Sequence, residues 1–142
     1  MSETLYQQEI LDLARAAHGA GRLAEPEVTV TLDNPLCGDR VTVDLHLADG
    51  RIAALGHRVR GCTLCEAAAS AIGRHAQGAG PGELAAGIAA ARAVVAGETA
   101  DPLWPELRAF RPVSAVKSRH RCVLLPFDAL ARALAEAAAG SS

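Results

Sequence analysis

Aromatic side chains are scarce: Tyr6, Trp104, Phe110 and Phe127 are all that 142 residues contain. That excludes the stacking platform on which single-strand nucleic-acid binders lay bases. It also requires a core of Leu, Val and Ile between closely approaching Ala-rich helices. No excess of positive charge is present either. Fourteen Lys and Arg against 16 Asp and Glu give a formal net charge of −2, so no overall field draws the chain to nucleic acid or to an anionic membrane. The basic clusters His57-Arg58-Val59-Arg60 and Arg119-His120-Arg121 read as solvated or partner-docking edges. The longest apolar stretch, Leu84 to Ala96, is interrupted by Arg92 and falls short of the ~18 residues of a spanning helix. The first residues lack the basic start and apolar stretch of a secretory signal. The expectation is a cytoplasmic protein with neither membrane nor nucleic acid as partner.

Half the residues are hydrophobic and 21% are charged, the composition of a folded domain. The length suits a single domain over residues 1–142. Leu5, Ile10, Leu11, Leu13, Ala14 and Ala17 recur at helical spacing, predicting an amphipathic helix that ends near His18, before Gly19, Gly21 and Pro26. Val28, Val30 and Leu32 alternate with threonines, and Val41, Val43, Leu45 and Leu47 alternate with polar residues, so both segments read as half-buried strands. Asp49-Gly50 is a type I′ hairpin signal leading into a third strand at about 51–60.

After Gly61 the period changes from two to 3.6, predicting a helix to about residue 77. A third helix starts at Pro81 and closes at Gly97, with Leu84, Ile88 and Val95 as a core stripe. Residues 98–118, around Trp104 and Phe110, read as a packed connector with one short helix. A last helix is predicted from near Val123 to Gly140, with Pro126 in its first turn. The order argues an α+β fold: a three-stranded antiparallel sheet with helices packed on one face. His18, His46, His57 and His75 have no ligand-spaced partner and are expected on the surface or rim.

The four cysteines, in a reducing compartment, point to metal or thiol chemistry. Cys37 lies in the connection between the first two strands, Cys62 at the junction of the third strand with a helix, and Cys122 where the last helix begins. Helix starts favour the thiolate, the form that binds metal or attacks sulfur. Three thiolates with Asp39 make a four-ligand set that zinc or cluster iron accepts. Spacing alone leaves a shared metal site and four separate buried thiols both open, because the one CxxC, Cys62-Thr63-Leu64-Cys65, matches no compact zinc finger.

The string Asp33-Asn34-Pro35-Leu36-Cys37-Gly38-Asp39-Arg40-Val41, the junction Arg60-Gly61-Cys62 followed by Ala67, Ala68, Ala69 and Ser70, and Arg121-Cys122 at the last helix together resemble the U-type iron–sulfur scaffold family: the NifU N-terminal domain, IscU and SufU. The likeness runs over about residues 5–138, and the long connector before Cys122 is more similar to the SufU branch. The resemblance implies a SufE/IscU-like fold. Cys37, Cys62 and Cys122 would be the family's three thiols, Asp39 its metal-site aspartate, and Cys122 the acceptor of persulfide sulfur from a cysteine desulfurase. It further implies a transient [2Fe-2S] cluster, or zinc in the SufU branch, and apo iron–sulfur proteins as recipients.

Two departures stand out. Arg121 occupies the place where IscU-type members carry His, with His120 one residue earlier; on an extended segment His120 and Cys122 would point the same way, making His120 and Arg121 auxiliary candidates. Cys65 is an additional thiol, on nearly the same helix face as Cys62, and could be a spare ligand or a disulfide partner that silences the site. Two other readings are carried along. One is a thiol-disulfide oxidoreductase centred on Cys62 and Cys65, which would call for a thioredoxin-like βαβ context. The other is a structural zinc domain without sulfur traffic.

Overall fold

In the computed structural model, which describes residues 3–36 and 38–140, the alternating apolar segments pair as read. β1 (Val28–Asn34), β2 (Asp39–Ala48) and β3 (Arg51–Arg60) form one antiparallel sheet in the order β1-β2-β3. The register sets Val30 opposite Val43, Leu32 opposite Val41, and Leu45 opposite Leu55, so one face carries the buried row Val30, Val41, Val43 and Leu45. Asp49 and Gly50 both have positive φ, 54° and 74°, the values a type I′ turn needs. One irregularity breaks the β2–β3 ladder between His46 and Leu47.

Four helices follow the predicted order: α1 (Glu3–Ala16), α2 (Thr63–Ala76), α3 (Pro81–Val95) and α4 (His120–Gly140). α4 crosses β1 and β2 while α2 lies along β3 and against α1 and α4. Ala67, Ala68, Ala69, Ser70 and Ala71 are consecutively buried, so α2 is covered on nearly all sides. Only small side chains let three layers approach it that closely. α3 starts with Pro81 in its first turn and ends at Gly97, whose N–H bonds the Val94 carbonyl while Glu98 bonds that of Ala93, a Schellman closure. Leu84, Ile88 and Val95 are core, and Trp104 and Phe110 are buried with them; the Trp104 ring lies directly over Gly87, where a methyl group has no room.

The structure adjusts several expectations. α1 stops at Ala16 because Ala17 turns to φ 46° and His18 gives its N–H to Ser70 Oγ at 3.0 Å. The connector is two 3₁₀ helices, Pro105–Ala115 and Lys117–Arg119. α4 begins three residues before the expected start, so Pro126 lies in its second turn and supplies no N–H to the carbonyl four residues back. His57 is not at the rim. It is buried and bonds the His18 carbonyl through Nε2 at 2.7 Å. His75 is half-buried, stacked on Trp104 with ring centroids 4.3 Å apart, and bonded to Glu106.

Residues 19–21 run back along β3 and exchange backbone hydrogen bonds with His57. This crossing touches bare backbone: a methyl group on Gly73 would fall on the His18 carbonyl, and one on Gly56 on the Gly21 carbonyl. The chain then crosses the outer sheet face, where Asp44 is fully buried. Its carboxylate accepts from Arg22 Nε at 2.6 Å, Arg22 Nη2 at 3.2 Å, Thr29 Oγ1 at 2.7 Å and the Leu23 N–H at 3.0 Å.

Two buried groups make the fold acid-sensitive. Burial alone would raise the Asp44 carboxyl, but the hydrogen bonds from Arg22, Thr29 and Leu23 and the Arg22 charge hold it below its ordinary 3.8. Burial holds His57 below its ordinary 6.5 against the opposing bond to His18. In both cases the unfolded chain binds its proton first, so stability is complete above the ordinary value and is lost as pH falls toward the folded one. The denaturation midpoint is expected to decline from about pH 6.5 downward and more steeply below about pH 4. Asp44→Asn should flatten the lower limb in urea titrations; an unchanged lower limb would remove Asp44 from the account.

Candidate metal centre

Three chain segments far apart in sequence meet at one rim of the fold. Asp39 opens β2, Cys62 is the residue before the first turn of α2, and Cys122 lies in the first turn of α4. One donor atom from each lies within 4.8 Å of the others. Cys37 lies outside the described residues; on either side of it, Gly38 N–H bonds the Asn34 carbonyl at 2.8 Å and the buried Asn34 side chain accepts from Leu36 N–H at 3.3 Å.

Asp39 is 3% exposed and is fixed from two directions. Its Oδ1 accepts the Cys62 backbone N–H at 3.2 Å, and its Oδ2 lies 3.9 Å from Cys62 Sγ. Gly61 makes this possible, since its Cα lies flat against the carboxylate and a methyl group there would stand 2.8 Å from Asp39 Cγ. The role of Gly61 was not legible from spacing; the only sequence sign was a glycine placed between a strand and a cysteine.

α2 begins immediately after Cys62, so the partial positive charge of its N-terminus lies beside the cluster and favours an anionic occupant. Cys122 lies in the first turn of α4, which continues directly from the 3₁₀ helix Lys117–Arg119 through the bond from His120 N–H to the Lys117 carbonyl. The donors open into a depression of about 410 Å³ lined by Gly38, Asp39, Gly61, Cys62, Ser118, Arg119 and Cys122. Cys62 is half-buried and Cys122 is buried.

Arg119, which the sequence places only in a solvated or partner-docking edge, borders the opening, and the reason is geometric. Arg119 ends the 3₁₀ helix that runs straight into α4 and lines the depression with Cys122, three residues on, whereas the Nε2 of His120 meets the Ser114 carbonyl at 3.0 Å. Arg121 is exposed and is not among the lining residues. Cys65 is fully buried beneath the cluster, and its thiol is held well above the ordinary value, first by burial and then by the negative charges of Asp39, Cys62 and Cys122. It does not join the three grouped donors.

An antiparallel three-stranded sheet, helices on its inner face and two thiols with a carboxylate at one rim define an α+β protein with a thiol-rich site. The comparisons specify it further. The model of the NifU-like N-terminal domain matches residues 5–100, and the chain belongs to that family. The N-terminal part of a nitrogen-fixing NifU-like protein from Brucella abortus is 34% identical, with a TM-score of 0.84 over 94% of this chain and 95% of that one. A protein described only as hypothetical is 25% identical, with a TM-score of 0.80 over 94% of this chain and 98% of that one. A candidate iron–sulfur cluster assembly scaffold of the SUF system from Fervidobacterium islandicum has the same fold at 24% identity, with a TM-score of 0.83 over 94% of this chain and 99% of that one. A comparison with curated protein sequences gives no match. No helix among the described residues is long and apolar enough to cross a membrane.

Proposed function

We propose that this protein is an iron–sulfur assembly scaffold that accepts sulfur from a cysteine desulfurase and passes a cluster to apo-proteins. The carrying observation is the convergence of Asp39, Cys62 and Cys122 on one open rim in a chain of the NifU-like family. In this reading Cys37 is the fourth donor, because its neighbours Gly38 and Asp39 line the depression. Iron and sulfide are cargo, held as a [2Fe-2S] cluster; zinc on the same donors is the form in which the chain accepts sulfur only.

Each residue has a physical task. Cys62 and Cys122 offer soft sulfur at helix starts where anions are favoured. Asp39 offers a harder oxygen, a poorer match for a thiophilic centre and therefore the arm that lets go. Cys122 takes the persulfide, with Arg119 supplying positive charge at the mouth. A reducing cytoplasm suits such thiol chemistry.

The test is anaerobic incubation of the full chain with a cysteine desulfurase, cysteine and ferrous iron, followed by metal and acid-labile sulfide analysis and a visible spectrum. Iron with sulfide in equal amounts is expected on the wild type and is expected to be lost on Cys62→Ser. Zinc without sulfide would assign the sulfur-accepting form. Wild-type protein that retains no metal at all would contradict the proposal. The oxidoreductase reading has less support: β1, β2 and β3 are antiparallel, and among the described residues no βαβ unit surrounds the CxxC.

A further inference from the structure

We infer that Cys62 and Cys65 are a redox pair whose closure into a disulfide takes Cys62 out of the metal-binding cluster and shuts the site. This regulation rests on the metal-site reading above. Cys62 is the N-cap of α2, in extended backbone at φ −77° and ψ 166°, and Cys65 is the third helical residue. An N-cap side chain reaches toward that third residue, as capping boxes show. Here it makes no capping hydrogen bond, so the sulfur is not committed to the helix end. The spacing is that of redox-active Cys-X-X-Cys pairs.

The two thiols are unequal in the way such a pair requires. Cys62 is half-buried and borders the open depression, while Cys65 is wholly enclosed below it. An oxidant from solution therefore meets Cys62 first. With a small disulfide as oxidant, the Cys62 thiolate attacks one sulfur and releases one small thiolate, leaving a mixed disulfide. Cys65 gives its proton to that thiolate and attacks Cys62 Sγ, expelling the second small thiolate, which takes from solvent the proton that Cys62 had given up. One S–S bond is exchanged for another; the small disulfide gains two electrons and two protons as two thiols, and the protein pair loses them. The product leaves Asp39 and Cys122 without their shared partner.

The experiment treats the metal-free full chain with one equivalent of oxidised glutathione, then divides the sample. Trypsin cuts after Arg60 and Arg74, so one peptide, Gly61–Arg74, carries both thiols. It is expected two hydrogens lighter and not linked to the peptides holding Cys37 or Cys122. The undigested half is expected to take up no zinc until dithiothreitol restores it. Cys65→Ser is expected to bind zinc like the reduced wild type and to trap glutathione on Cys62. A cross-link from Cys62 to Cys122 or Cys37, or zinc uptake by protein oxidised within Gly61–Arg74, would overturn the inference. Reduced wild type that takes no zinc would instead refute the metal-site reading, while the peptide map still reports on the pair.

Discussion

Gly61→Ala is expected to weaken metal binding by at least ~10–100-fold, the range seen when groups supporting a ligand are lost. The added methyl would overlap the Asp39 carboxylate and stand 3.0 Å from Asp39 Cβ. Asp39 is buried and tied to the Cys62 N–H at 3.2 Å, so it cannot step aside without breaking that bond and moving the oxygen out of the cluster. The backbone has little slack, because Gly61 and Cys62 alone join β3 to α2. Crowding of this kind also costs about 1–3 kcal/mol of stability. Gly82→Ala, where nothing lies within 4 Å of the new methyl, is the control. Zinc titration against a competing chelator, alongside thermal unfolding, measures both effects; wild-type affinity in Gly61→Ala would show that the Asp39 oxygens are not donors.

Cys122→Ser is expected to reduce sulfur loading from a cysteine desulfurase to background. Serine nearly matches the buried thiol in volume, so the fold should persist, but a hydroxyl neither ionises near neutral pH nor carries persulfide sulfur. The side chain sits in the first turn of α4 beside Arg119 at the opening, where an anionic sulfur species is favoured. Mass analysis of protein incubated with desulfurase and cysteine reads the added sulfur directly. Undiminished loading would transfer the acceptor role to Cys62 or Cys37.

The sheet and α3 were legible because their signals are local. Period-two alternation over residues 28–32 and 41–47, the Asp49-Gly50 turn and the Pro81/Gly97 boundaries each act within a few residues. The meeting of Asp39, Cys62 and Cys122 was not legible from spacing, since separations of tens of residues carry no distance; it came from resemblance to a family. Errors fell where neighbours decide. Pro126 reads locally as a first-turn residue, which sets the expected start of α4 near Val123, whereas the helix begins at His120, whose ring meets the Ser114 carbonyl while Arg119 borders the depression. His57 and His75 looked peripheral because the carbonyl of His18 and the ring of Trp104, which enclose them, are contributed by distant segments.

The passage of residues 18–21 over Gly56 and Gly73 has a practical consequence for anyone redesigning this protein. Gly19 is solvent-facing and would rank among the freely variable positions in a library chosen by accessibility. Yet its own methyl would stand 2.9 Å from Gly73 Cα, so diversification there would lever the first helix away from the second. Saturation mutagenesis should find Gly19, for all its exposure, as intolerant as an interior position.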